Sequence, residues 1–550
     1  MPLDMLITGR IATLGGDSGF GWVEAIGIRG GRVAFAGSEV DLETRADPFT
    51  ERIGLDPDQV AIPGLTDAHL HLTQAALASR HVDLGDAATL DDGLERLRAA
   101  HERLPDGAWL EGHGWDSDRW GSWPTADALE TVAPGRWAVL WAHDHHALWA
   151  SHAALRAADL PSGDPAGGVI RRIPDGPRRG EPEGVLYEAA SRFVTVHVPA
   201  PTGDELDAAL IEVGQDLVRL GVVACHDPGG VAPDPDLQYS FPAYARLSDN
   251  GRLPLRVHAC MRDDAVAAAI EGGHRSGARL GSNPDGRATV GWQKCFADGS
   301  LGSRTAALLE DIETEPDRPL PSELRKGVWM TEPDGLRERA ERAAAGGIAT
   351  TIHAIGDAAI RAALGVLEPL AATSPLMPRI EHVQMLHPDD RPRFAAAGIA
   401  ASVQPVHLGS DALQAWKLWG DRAEAEGYTW KSIADTGAVM PFGTDAPVEP
   451  YDPWPGLALA VRREDARWPT GTPVYAPEQS LTLDRALRAN CVDPAVSAKE
   501  TDRGRLTVGQ RADVVVIAAA SLDAPVMPSG PLSTTRPQLV LLDGKVVFEA

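Results

Sequence analysis

His69 and His71, in AIPGLTDAHLHL, stand two apart in a segment that reads as a β-strand. Alternation along a strand sends both imidazoles to one face. There a single cation can take two nitrogen ligands from one rigid element. An isolated HxH has a plainer alternative, a structural or surface pair, but Pro63 and Gly64 punctuate the entry to this one. His353, in IATTIHAIGD, and His382, in PRIEHVQ, close two later apolar segments, and Asp445 closes another, PFGTDAPVEP. A carboxylate at such a position can ligate a metal and accept a proton from water. His226, His258 and His407 stand near segment ends too, where a lone histidine is usually a core or surface residue.

Lys294, in GWQKCFADGS, is the odd member of the group. A protonated lysine has no lone pair and cannot bind a metal. Desolvation near cations lowers its pKa and frees the amine for reaction. Addition of carbon dioxide would give a carbamate whose two oxygens could bridge two cations. The alternative is a lysine salt-bridged to Asp298. Other signatures fail: DGSLG has Asp298 where a nucleophile elbow needs glycine, and neither GxxxxGK[ST] nor HExxH occurs. Seven tryptophans lie between Trp109 and Trp149. Core packing accounts for most of them, and some suit a pocket for apolar or aromatic groups. Trp115 and His146 from that region, with Asp298 and Gln404, are the candidate substrate contacts.

The elements that must position these groups follow a rhythm of helix, glycine and short apolar strand ending at a polar residue. In DELDAALIEVGQDLVRLGVVACHD, Leu206, Leu210, Val213 and Leu217 share one helical face. Gly221 suits the helix exit, and Val222 to Cys225 read as a buried strand. The segments AIPGLTDAHLH, GVVACHD, PLRVHACM, ATVGWQKCFADG, IATTIHAIGD, PRIEHVQ, IAASVQPVH and AVMPFGTDAPV give eight candidate strands. Alternating β and α elements imply parallel strands. Eight of them predict an α/β fold of the closed (β/α)8 TIM-barrel type, with chemistry at the C-terminal strand ends.

Three regions break the rhythm. Residues 1–62 and 503–550 both hold short strand-like pieces, and are expected to pair into one small composite β-sandwich flanking a barrel at 63–502. Residues 75–200 are too long for one crossover and read as an insertion over the barrel mouth; within it, GDPAGGVIRRIPDGPRRGEPEG reads as a loop or hairpin.

The 550 residues suffice for a large core and more than one domain. A net charge of -27 argues against nucleic acid or an anionic membrane as partner. No apolar run has transmembrane length, and MPLDMLITGRIATLGG lacks a signal-peptide layout; a cytoplasmic location is the expectation. Four scattered cysteines make no disulfide framework.

The same segments resemble the amidohydrolase superfamily, in the branch called YtcJ-like or amidohydrolase family 3, to which N-substituted formamide deformylase belongs. PGLTDAHLHL, WQKCFADGSLGSRTA, IHAIGDAAI, RIEHVQ, SVQPVH, FGTDAPV and GRLTVGQRADVVV follow family motifs in order, and HALWASHAAL and EGVLYEAA resemble its insertion. The resemblance spans almost the whole chain. It implies a barrel with a composite sandwich, and metal ligation by His69, His71, Lys294, His353, His382 and Asp445, with Lys294 N-carboxylated. The departures are Cys491 for a common threonine and Ser151 for a usual asparagine.

The expectation is therefore an amidohydrolase that hydrolyses an amide-like C–N bond of a small molecule. One or two divalent ions, zinc from the nitrogen-rich ligation, would activate the water, and Asp445 would carry its proton to the leaving amine. A homodimer is left open. Two alternatives remain: a mononuclear deaminase on the same barrel, disfavoured by the lysine and by the lack of a glutamate after the HAIGD histidine, and a non-catalytic metal-binding scaffold.

Overall fold

The computed structural model describes residues 3–143, 147–165, 168–229, 240–284, 286–313 and 325–550. Contacts divide the chain into two compact units, Met1–Thr73 with Ile211–Ala550, and Gln74–Leu210.

Seven of the eight segments expected as strands form one parallel sheet in the first unit. They are β1 (Leu65–Asp67), β2 (Val222–Asp227), β3 (Arg256–Arg262), β4 (Ala288–Phe296), β5 (Ala349–Ala354), β6 (Arg379–His382) and β7 (Ala400–Ser402). Each pairs in parallel with the next. Helices between them return the chain to the same end of the sheet, as parallel pairing demands. Helix Gly203–Arg219 buries Leu206, Leu210, Val213 and Leu217, and Gly221 then turns the chain into β2 at φ +86°.

The eighth segment, AVMPFGTDAPV, is not a regular strand; its bridge is an isolated parallel one between Val403 and Phe442. Pro441 has no N–H to give a ladder, and Asp445 is left-handed at φ 62°, so regular pairing cannot propagate. The segment nonetheless bonds to both edge strands. On the β7 side, Ala401 N donates to Val439 O at 3.0 Å and Val403 N to Pro441 O at 3.0 Å. On the β1 side, Ala68 N donates to Phe442 O at 2.8 Å and His71 N to Ala446 O at 3.0 Å.

Both chain ends meet in a second sheet of this unit, an eight-stranded one. Its join is the antiparallel pairing of Gln59–Pro63 with Val514–Ala518. Met5, Ile7, Ile26, Val514, Val516 and Leu541 lie in one apolar cluster with residues from both ends. Backbone continuity then runs from Pro63 through Gly64 into β1, so this sheet anchors the strand that leads to His69.

The second unit holds a six-stranded mixed sheet. The Arg- and Pro-rich stretch resolves into a hairpin, Gly168–Arg172 antiparallel to Pro182–Glu188. Its tryptophans are largely packing residues. Trp115 is buried in the cluster containing Leu97, Leu110, Leu140 and Trp149, and its Nε1 donates to Leu140 O at 2.8 Å. Trp115→Ala should therefore destabilise this unit by about 3–5 kcal/mol, the usual cost of emptying an aromatic core site. Differential melting and limited proteolysis between residues 74 and 210 would register the loss, with metal content unchanged. Among the described residues no helix is long and apolar enough to cross a membrane.

Candidate metal centre

The regular part of β1 stops at Asp67, so His69 and His71 stand just beyond it rather than on it. Asp67 fixes the turn: its Oδ1 accepts the backbone N–H of His69 at 3.0 Å and of Thr444 at 3.1 Å. Its Oδ2 takes the Thr444 hydroxyl at 2.6 Å. One buried carboxylate thus ties the two histidines to the segment bearing Asp445. Gly443 allows the close approach, since a Cβ there would lie 2.5 Å from His69 N.

Asp445 is the meeting point. Its Oδ1 lies 3.2 Å from both His69 Nε2 and His71 Nε2. Its Oδ2 lies 3.9 Å from His382 Nδ1 and 3.6 Å from His407 Nε2. Potential ligand atoms of His69, His382 and Asp445 all fall within 4.8 Å of one another. The His353 and His382 rings are 4.4 Å apart, centroid to centroid. His382, Val383 and Asp445 have φ of 75°, 46° and 62°. Non-glycine residues there carry backbone strain, and such strain concentrates at functional sites.

Three imidazoles are held by one nitrogen, which decides what the other can do. His69 Nδ1 is 2.7 Å from Glu381 Oε2, His71 Nδ1 contacts Gly229 O, and His353 Nε2 is 3.0 Å from Gly299 O. A nitrogen facing an oxygen acceptor carries the proton, which leaves the other nitrogen as the one that can offer a lone pair to a cation. His69 Nε2 and His382 Nδ1 are buried without a hydrogen bond. Orphaned buried nitrogens beside a carboxylate are what a divalent cation would satisfy, so the residues present fit one.

The electrostatics agree. Burial, joined by the charge of Lys294, pushes His353 down to about 3, and burial with His353 holds His382 well below the usual imidazole range. Both are therefore neutral, as ligands must be. Burial opposes ionisation of Asp445, but His69, His71 and His382 together hold its carboxyl well below the ordinary range. Burial and Lys294 also oppose a charge on His69, yet Asp445 and Glu381 outweigh them and raise its pKa. A cation at Nε2 would take the place of that proton between the two carboxylates.

Lys294, on β4, is buried; burial lowers it to about 8, with Glu381 and Asp445 working the other way. Its Nζ sits 5.1 Å from the Phe296 ring centroid. The alternative pairing with Asp298 does not form within 4.0 Å. The Asp298 carboxylate instead accepts the backbone N–H groups of Ala307, Ile355 and Gly356 at 2.8–3.0 Å. It lies 3.6 Å from His353 Nε2, so it staples the loops after β4 and β5 around that ring.

Of the other candidate contacts, Gln404 is buried with neither amide atom bonded, as suits a group awaiting a ligand. Trp115 belongs to the core of the other unit, and His146 falls outside the described residues. Sequence reasoning passed over Glu381 and Asp67, and set His407 aside although it faces Asp445. For Glu381 a signal existed: Arg379 and Glu381 are two apart, which puts opposite charges on one strand face.

Comparisons with known proteins extend this picture over the chain. A model of the Amidohydrolase family matches residues 58–548. Protein LONG AFTER FAR-RED 3 of Arabidopsis thaliana is 30% identical over 94% of this chain and 88% of its own. YtcJ of Bacillus subtilis (strain 168) is 28% identical over 96% of each chain. N-substituted formamide deformylase of Arthrobacter pascens is 25% identical over 99% of this chain and 98% of its own. In structure, an uncharacterized metal-dependent hydrolase from Pyrococcus horikoshii OT3 superposes with TM-score 0.74. At 24% identity it covers 94% of this chain and 97% of its own, which establishes a TIM-barrel-type α/β fold. The chain thus belongs to the amidohydrolase family, in its YtcJ-like branch, and is a hydrolase acting on carbon–nitrogen bonds.

Proposed function

We propose that this enzyme hydrolyses an amide-like bond in a small molecule at a centre built from His69, His71, Lys294, His353, His382 and Asp445. The observation that carries the reading is the set of imidazole nitrogens converging on Asp445, with His69 Nε2 and His382 Nδ1 lacking any other partner. Nitrogen-rich donors favour zinc. When bound there, such a cation supplies Lewis acidity toward a carbonyl and acidifies water. Asp445 accepts the proton of the attacking water and returns it to the departing amine. Glu381 and the Gly229 and Gly299 carbonyls keep the imidazoles turned inward. Lys294, as a carbamate, contributes the second anionic group.

The barrel in this reading is closed, with residues 439–446 as its eighth member; the bonds of that segment to both sheet edges support it.

Metal content tests the core of the proposal. Purified enzyme should hold one to two zinc-like ions per chain by elemental analysis, lost together with activity on chelation. The double substitution His69→Ala with His71→Ala should remove most of that metal. Undiminished binding in the double variant would take this site out of consideration.

A further inference from the structure

Below the imidazoles, Arg379 occupies the inside of the barrel sheet. Both it and Glu381 are buried, at 2% and 1% exposure. Its Nε donates to Glu381 Oε1 at 2.9 Å, and one terminal nitrogen reaches Glu381 Oε2 at 3.1 Å. That nitrogen also meets Ala68 O at 2.6 Å and Ser402 Oγ at 2.8 Å. The other donates to His226 Nδ1 at 2.7 Å, and the guanidinium lies 4.8 Å from the Trp292 ring centroid. One side chain thus joins β2, β4, β6, β7 and the turn after β1. Glu381 takes a further bond from the Thr351 hydroxyl on β5 and passes its remaining contact to His69 Nδ1.

We infer that Arg379 and Glu381 are a positioning pair for the metal centre: Arg379 orients Glu381, and Glu381 fixes the ring plane and tautomer of His69 so that Nε2 presents its lone pair to the cation. This rests on the ligand set proposed above and assigns two groups outside it. A core ion pair retained for packing alone would need no third partner on a ligand histidine. Here the Glu381 oxygen that contacts His69 is itself held by Arg379, so a shift of the guanidinium must move the imidazole. The guanidinium is required as a planar fork; a lysine ammonium could not hold Glu381, Ala68 O, Ser402 and His226 together. His226, which burial holds well below its usual pKa, is neutral and can receive the arginine N–H at Nδ1.

The experiment measures zinc dissociation constants by competition with a chromogenic chelator, on full-length wild type, Glu381→Gln, Arg379→Lys and the double variant. Thermal melts of the metal-free proteins accompany it. Glu381→Gln and Arg379→Lys should each weaken zinc binding by about 10–100-fold, the usual effect of disturbing a ligand's outer partner. The double variant should be no weaker than the worse single one, because both act through His69. Cobalt-substituted forms of both single variants should show a changed visible absorption envelope, which packing alone would not produce. Thr351→Val, which removes one bond to Glu381 and leaves the ion pair, should give a smaller loss in the same direction; it carries the test if the charged variants fail to fold. Folded variants with zinc affinity within twofold of wild type and an unchanged cobalt spectrum would overturn the inference, as would losses that simply multiply in the double variant. Wild-type enzyme that binds no zinc at all would instead overturn the ligand set.

Discussion

Asp445→Asn should lower kcat by about two to four orders of magnitude, the span expected when a general acid–base group is lost, while leaving part of the metal bound. The asymmetry follows from what asparagine keeps. Its amide oxygen still offers a lone pair, so a donor survives, but it cannot take up and return a proton at neutral pH. Asp445 is suited to that task by its neighbours: two imidazole nitrogens at 3.2 Å face one oxygen, and those of His382 and His407 face the other. Burial opposes its ionisation, but His69, His71 and His382 keep the carboxylate anionic, ready to receive. The measurement is kcat on whichever members of a panel of N-formyl and N-acyl amines the wild type turns over, alongside elemental analysis. Near-normal turnover with metal in place would shift the role to another group, and His407, 3.6 Å from Asp445 Oδ2 and outside the proposed ligand set, is the candidate to inherit it.

The proposed ligands could be picked out of the sequence because most stand at or near the end of an apolar run, which is a statement about period and sequence order. Where the period breaks, legibility ends. His382 directly follows Glu381 in β6, and on a regular strand the two would face opposite sides. Both instead reach the same centre, Glu381 through His69 and His382 through Asp445, because His382 and Val383 leave the strand with positive φ. The HxH spacing similarly suggested a strand, whereas both residues lie past its end, held by Asp67 and by Ala446 O. No local pattern announces that Asp67 pairs with Thr444 across hundreds of residues. The eighth segment shows the same limit: its apolar composition marks a strand, but Pro441 and the left-handed Asp445 replace ladder pairing with separate bonds to two edges. In the tryptophan-rich stretch core packing was the expectation for most of the rings, and Trp115 accordingly satisfies its own N–H within a core.

Lys294→Ala should cost more than about 100-fold in metal affinity, beyond the range for outer partners, with activity lost alongside and partly restored by short carboxylic acids at high concentration. The argument is one of charge. The four histidines among the proposed ligands bring no negative charge, and Glu381 is already matched by Arg379, so Asp445 is the one unmatched anion among the proposed ligands. An ammonium about 4 Å from a divalent cation would add roughly 8 kcal/mol of repulsion at an effective dielectric of 20. Burial has already brought Lys294 down to about 8, which leaves an appreciable share of free amine near neutrality. That amine adds to carbon dioxide at carbon, forming the N–C bond of a carbamate and releasing one proton to solvent. The product replaces a positive charge with a negative one and supplies two oxygens where alanine supplies none, so formate, acetate or propionate can mimic it in the truncated variant. Metal-free enzyme should accordingly recover faster with zinc and bicarbonate than with zinc in carbon dioxide-free buffer. Enzyme reconstituted with ¹³C-bicarbonate should show a carbamate carbon resonance that disappears in Lys294→Ala. A fully metallated, active crystal with a bare ε-amine at residue 294 would sink the idea, and would leave a centre of histidines and Asp445 holding a single cation.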